Sequence, residues 1–228
     1  MRREELEERL AAVRRGLQEA SEGRWPVPKL VVVTKTHTPE EILPLAELGV
    51  TDIGENRVQE LREKLPALEN RFRVHLIGRL QRNKVKYIVG DVCMIQSVDS
   101  LPLAEEIHRR ASEKGLRVPV LLEVNPAGEV QKGGVSPEEL RSLIGQIRGL
   151  DGIQIKGLMA VMPQTEDRDL LEKLFRNMRT LFDRIRGEAI SGVEMEELSM
   201  GMSGDYVQAA RCGATMVRVG SAILGPRG

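Results

Sequence analysis

The stretch LVVVTKTHTPEE, Leu30 to Glu41, runs a short apolar segment into one charged side chain, Lys35, and then into a Thr-Pro-Glu-Glu helix start. The same strand-then-helix order recurs along the chain. Further candidate strands are TDIGE (51–55), RVHLI (73–77), VCMIQSV (92–98), VPVLLEV (118–124), IQIKGLMAV (153–161), ELSM (197–200) and TMVRV (215–219). Helical-period stretches separate them, among them PEEILPLAELG, VQELREKLPAL, LAEEIHRRASEKG, SPEELRSLIGQIRG and DLLEKLFRNMRTLFDRIRG. Each begins near Pro, Ser, Asp or Asn, and several stop at Gly. Eight such units predict an α/β fold, a parallel (β/α)8 TIM barrel. An open doubly wound sheet would have fewer strands and a GxGxxG turn after the first, which this sequence lacks.

Residues 3–20 add an amphipathic helix, with Leu6, Leu10, Val13 and Leu17 on one stripe. No low-complexity linker or internal repeat interrupts the pattern. Residues 1–228 therefore read as one barrel domain, with residues 1–24 as an extra N-terminal helix packed on it.

The chain balances 34 Lys and Arg against 34 Asp and Glu in 228 residues, so no global field draws it to nucleic acid or to an acidic membrane surface. The charged N-terminus MRREELEERL has no apolar signal region, and no segment approaches the roughly 20 apolar residues of a membrane span. Cys93 and Cys212 are isolated, without the spacing of a disulfide framework or a zinc site, and read as two buried thiols. A cytoplasmic protein with a small, near-neutral ligand is the expectation.

In such a barrel the chemistry gathers at the C-terminal ends of the strands, with phosphate commonly held after strands seven and eight. Those two ends here are SMGMSG (199–204) and RVGSAILG (218–225). Glycine lets the backbone approach a ligand, while N–H groups and serine hydroxyls hold phosphate oxygens. Together they read as a phosphate cup. Opposite lies Lys35, whose apolar run favours the neutral, nucleophilic amine that forms a Schiff base with a carbonyl compound. Lys156, in IQIKGLMAV, is the rival lysine, but it precedes the apolar GLMAV and so sits toward the wrong end of its strand. Arg218 is the second unusual charge, a guanidinium inside the short strand MVRVG that demands either a carboxylate or a ligand atom as partner.

The segments VVVTKT, DIGENRVQE, HLIGRLQRNK, NPAGEVQKGG, GLMAVMP, SMGMSGD and VRVGSAILG resemble the pyridoxal phosphate homeostasis protein family, which is similar to the barrel domain of alanine racemase without its second domain. They span residues 31 to 225. The resemblance implies pyridoxal 5'-phosphate (PLP) as cofactor, with Lys35 forming the Schiff base. It also implies Ser203, Gly204, Gly220 and Ser221 as phosphate binders, Arg218 facing the pyridine nitrogen, and Asn56 and His75 lining the pocket. For His75 a structural role beside the site stays open. Two departures are Val74, where the family has an aromatic residue before the histidine, and Pro39, which follows the lysine later than usual.

A cation at the ring nitrogen disfavours its protonation and weakens the ring as an electron sink. Racemases of this type also use a tyrosine, and neither Tyr87, read in the helix after strand three, nor Tyr206, at the start of the helix after SMGMSGD, is placed by a motif as the opposing base. The resemblance thus implies a PLP-binding protein of intracellular PLP homeostasis, with little or no turnover and PLP-dependent apoenzymes as recipients. A weak single-domain racemase or a Schiff-base aldolase is the alternative.

Overall fold

Eight parallel strands close into a barrel in sequence order, β1 to β8, with β8 returning to pair with β1. The structure is a computed structural model and describes residues 2–68, 71–129 and 133–225. The strands are β1 (Lys29–Val33), β2 (Asp52–Glu55), β3 (Arg73–Leu76), β4 (Met94–Val98), β5 (Val118–Val124), β6 (Ile153–Ala160), β7 (Val193–Ser199) and β8 (Met216–Val219). Around them run α1 (Arg3–Ser21), α2 (Pro39–Ile42), α3 (Pro44–Glu47), α4 (Val58–Leu68), α5 (Leu101–Glu113), α6 (Leu140–Ile147), α7 (Arg168–Gly187), α8 (Tyr206–Arg211) and α9 (Ser221–Leu224). The expected (β/α)8 TIM barrel with an additional N-terminal helix is the observed fold.

Alternation along each strand divides the core in two. Val32, Ile53, Leu76, Ile95, Leu158 and Val217 pack in the layer between strands and helices. Val31, Met94, Leu121, Met159 and Met216 fill the barrel interior. Each such side chain contributes about 1.5–3 kcal/mol by leaving water. The N-terminal end is closed by Lys29, which donates to Glu197 at 2.5 Å, and by the Thr215 hydroxyl on the same carboxylate at 2.9 Å.

Helix α1 buries Leu6, Leu10, Val13 and Leu17 at spacings of three and four, against α8 and α9. Gly16 belongs to that contact, since a Cβ there would lie 3.1 Å from the Tyr206 hydroxyl. No helix among the described residues is long and apolar enough to cross a membrane.

The expected helix PEEILPLAELG is two short ones, because Pro44 lacks the N–H that would continue the first. After β3 the chain forms a 3-10 helix, Arg82–Tyr87, where an α-helix was expected. Strand β7 starts at Val193, four residues before ELSM, and pairs with β6 across a register shift at Gly157. That glycine has φ 148°, and a Cβ on it would fall 1.8 Å from the Glu197 carbonyl oxygen. Val130–Lys132 of NPAGEVQKGG lie outside the described residues.

Candidate cofactor site

At the C-terminal ends of β1 and β8 a pocket of about 470 Å³ is lined by Lys35, Ser203, Gly204, Arg218, Gly220 and Ser221. Six residues that the sequence pointed to thus share one cavity. Met202 of the SMGMSG loop also lines it, as do His37 and Gln164, to which the sequence assigned no role.

Lys35 follows the end of β1 after one intervening residue, Thr34, and the chain fixes the peptide groups on either side of it. The ammonium of Lys64 on α4 donates to the Thr34 carbonyl at 2.8 Å, to Glu55 Oε1 at 2.8 Å and to Glu60 Oε1 at 2.6 Å. The Thr34 hydroxyl donates to Glu55 Oε1 at 2.6 Å, and the Thr36 N–H donates to Glu60 Oε1. Thr36 holds φ at 70°, a left-handed turn that a β-branched residue adopts only where its surroundings impose it. The segment GENRVQE therefore works as a clamp. Its two glutamates, with Lys64 one turn beyond, fix the backbone that carries Lys35. Burial raises the pKa of Glu55 while Lys64 and Thr34 oppose the rise. Burial also works against ionising Glu60, yet Lys64 and the Thr36 N–H hold its carboxyl below the usual range.

Arg218 points inward from β8 with 3% exposure. It donates to the Ser199 hydroxyl at 2.7 Å and to the Ala160 carbonyl at 2.9 Å, so its direct partners are neutral oxygens. Burial pushes its pKa down to about 10, opposed by the charges of Glu123 and Asp205. It remains a cation at neutral pH.

From Arg218 a line of hydrogen bonds crosses the barrel. Ser199 donates to Gln96 Oε1 at 2.7 Å, the Gln96 amide donates to His75 Nδ1 at 3.0 Å, and His75 Nε2 meets Asp52 Oδ1 at 2.8 Å. The Gln96 amide also faces Met216 Sδ at 3.1 Å, and two acceptors on one side set the amide's orientation. Each member therefore donates to the next, from guanidinium to carboxylate. Aliphatic side chains usually fill this part of a TIM barrel.

The cup is built from the loops after β7 and β8. The Ser203 hydroxyl accepts from the N–H groups of Gly220 at 3.1 Å and of Ala222 at 3.3 Å. With both lone pairs taken, its own proton is available to an acceptor in the pocket. Asp205 closes the first loop by accepting the Met202 N–H at 2.6 Å. A Cβ added to Gly204, which is exposed and lines the pocket, would meet nothing within 4 Å among the described residues.

Two expected pocket residues stand elsewhere. His75 is fully buried in the barrel interior and reaches the pocket only through Gln96, Ser199 and Arg218, which is the structural role left open for it. Asn56 lines a neighbouring groove with Arg79 and Asp99, and its buried Oδ1 has no hydrogen-bond partner among the described residues. The rival Lys156 is tied to Glu194 and Glu196 low on β6, and these pairings raise its pKa, the Glu194 bond most. It is a protonated surface cation outside the pocket. Neither tyrosine lines the pocket: Tyr206 packs on Gly16, and Tyr87 lies under Arg62 and Lys86. Cys212 is buried as expected, but Cys93 is only partly so.

Glu123 on β5 carried no motif. Burial, and then the charge of Asp99, push its pKa up to about 7 against the pull of Arg218 and Arg79.

The family model described as alanine racemase, N-terminal domain, matches residues 8–228. The chain belongs to that family. A pyridoxal phosphate homeostasis protein of Aquifex aeolicus (strain VF5) is 42% identical over 224 residues, covering 96% of this chain and 97% of its own. Among solved structures, PipY of Synechococcus elongatus PCC7942, with PLP bound, is 34% identical with a TM-score of 0.85, covering 96% of this chain and all of that one. An alanine racemase of Clostridium difficile 630, at 17% identity and a TM-score of 0.74, covers 96% of this chain and 56% of its own, and shares the fold. The likeness carried by VVVTKT, GENRVQE and SMGMSGD is thus a family relationship over nearly the whole chain.

Proposed function

We propose that this chain binds pyridoxal 5'-phosphate as a Schiff base on Lys35 and serves intracellular PLP homeostasis with little or no turnover. The observation that carries the reading is the shared pocket: Lys35, Arg218 and the two glycine-serine loops line one cavity. Its residues fit the cofactor. Gly204 lines the cavity without a side chain to fill it, and the Ser203 hydroxyl has a proton to donate to a phosphate there. Gly220 and Ser221 complete the cup, and Arg218 faces the pyridine nitrogen. When bound, PLP supplies the aldehyde that a neutral amine attacks.

The remaining groups restrain chemistry on the cofactor. Arg218 stays charged at neutral pH, so it disfavours a proton on the ring nitrogen and weakens the electron sink. No tyrosine lines the pocket as a second acid or base. A protein that keeps a reactive aldehyde covered in the cytoplasm, and yields it to PLP-dependent apoenzymes, fits these features. Asn56 and His75 have supporting places beside the site in this reading.

His37 favours the second reading, a weak racemase, because it is the one imidazole in the pocket and stands two residues from Lys35. The test is a racemisation assay of the PLP-loaded protein over a panel of L-amino acids. No saturable turnover is expected; saturable racemisation that disappears in His37→Ala would establish the enzyme instead.

A further inference from the structure

A second cluster of chemically able groups lies toward the opposite end of the barrel. Asp52 opens β2, His75 is on β3, and Cys93 immediately precedes β4, so three adjacent strands aim a carboxylate, an imidazole and a thiol at one point. One ligand atom from each lies within 4.8 Å of the other two. The Asp52 and His75 side chains are 6% and 1% exposed, while Cys93 is partly open to solvent.

We propose that Asp52, His75 and Cys93 form a binding site for a zinc-class divalent transition metal, with solvent in the fourth position. The donor set decides the class: sulfur with imidazole selects zinc or cobalt over magnesium and calcium, which take oxygen ligands. A tetrahedral ion with bonds of about 2.0–2.3 Å spaces its ligand atoms roughly 3.3–3.8 Å apart. To reach that spacing the Asp52 Oδ1–His75 Nε2 pair, now 2.8 Å apart, opens by roughly 0.5 Å while the Cys93 thiol closes in from within 4.8 Å. A thiolate and a carboxylate together balance a divalent charge.

The surroundings already orient two of the ligands. Thr51 donates to Asp52 Oδ2 at 2.6 Å and leaves Oδ1 directed at the cluster. Gln96 anchors the His75 ring at Nδ1, so Nε2 is the nitrogen that faces Asp52 and the cluster. Arg73 opposes the ion, standing 3.7 Å from Asp52 Oδ1, but its side chain is 62% exposed and can turn into water.

Coordination at Nε2 takes the place of the proton that His75 gives to Asp52. The neutral ring then carries its proton on Nδ1, the Cys93 thiol proton leaves to solvent, and Gln96 must turn its amide to offer oxygen. That turn breaks the Met216 contact and reverses the Gln96–Ser199 bond. Loading is therefore an exchangeable event that reaches Arg218 through Ser199.

The test is titration of chelator-treated, full-length protein with cobalt(II), followed by displacement with zinc. One equivalent is expected, with a thiolate-to-cobalt charge-transfer band in the near ultraviolet. In Cys93→Ser the band disappears and affinity falls at least about tenfold, while circular dichroism and the melting temperature stay near those of the unmodified protein. Cys212→Ser leaves the band in place. Absence of saturable binding, saturation without the thiolate band, or a band that survives Cys93→Ser would overturn the proposal.

Discussion

The Lys64 ammonium donates to the Thr34 carbonyl at 2.8 Å, one residue before Lys35, and shares Glu60 with the Thr36 N–H one residue after it. The site lysine thus hangs from a backbone pinned on both sides. Lys64→Met leaves the fully buried Glu55 without its cation, which costs about 3 kcal/mol or more. Urea denaturation will show that loss, and adding Glu55→Gln to the same chain will recover part of it. Glu60→Gln keeps most of the stability and instead loosens the Thr36 turn, so it will weaken PLP uptake more than it lowers the melting temperature.

Ser199 stands between Arg218 and Gln96, at 2.7 Å from each. Ser199→Ala strands one guanidinium N–H and the Gln96 carbonyl oxygen in the interior, a loss of about 2–3 kcal/mol for buried unpaired groups. Ser199→Thr, which keeps the hydroxyl, will lose less in the same denaturation experiment.

Glu123 gives a pH dependence with a definite sign. Its pKa rises from the ordinary 4.5 to about 7 in the folded chain, so between those values the folded chain holds a proton that the unfolded chain has released. The associated stability is complete below the lower value and is lost as pH rises through about 7. Because Glu123 stays partly exposed, screening reduces the effect to about 1–2 kcal/mol. Glu123→Gln will flatten this segment of the profile, and denaturation curves at mildly acidic and mildly basic pH will show it.

Gly204 lines the pocket, and a Cβ there meets nothing within 4 Å among the described residues, so the fold itself tolerates a side chain. Gly204→Asp places a carboxylate beside the phosphate and will weaken PLP binding at least about tenfold, with little change in melting temperature. Gly204→Ala will have a smaller effect, and a fluorescence titration of each variant with PLP will show both.

The sequence made the barrel legible because period and punctuation agreed at each of the eight strands. It failed where local signals compete with tertiary ones. Pro44 split a helix whose apolar period ran straight through it, and nothing in RNKVKY distinguishes a 3-10 turn from an α-helix. The pocket residues were legible where the chain placed glycine, serine or a stray cation at a strand end. The clamp on Lys35 was not, because Glu55, Glu60 and Lys64 read individually as ordinary helix and strand charges and meet only in space. His75 kept both a pocket-lining and a structural role open in the sequence, because strand position alone does not reveal depth. It lies one layer below the pocket, where Gln96 and Asp52 take both ring nitrogens.

The most direct measurement is borohydride reduction of the PLP-loaded protein followed by peptide mapping. The expected result is one phosphopyridoxyl group per chain, on the peptide containing Lys35, and its loss in Lys35→Ala. Label on Lys156, or no label on the unmodified protein, would contradict the site described here.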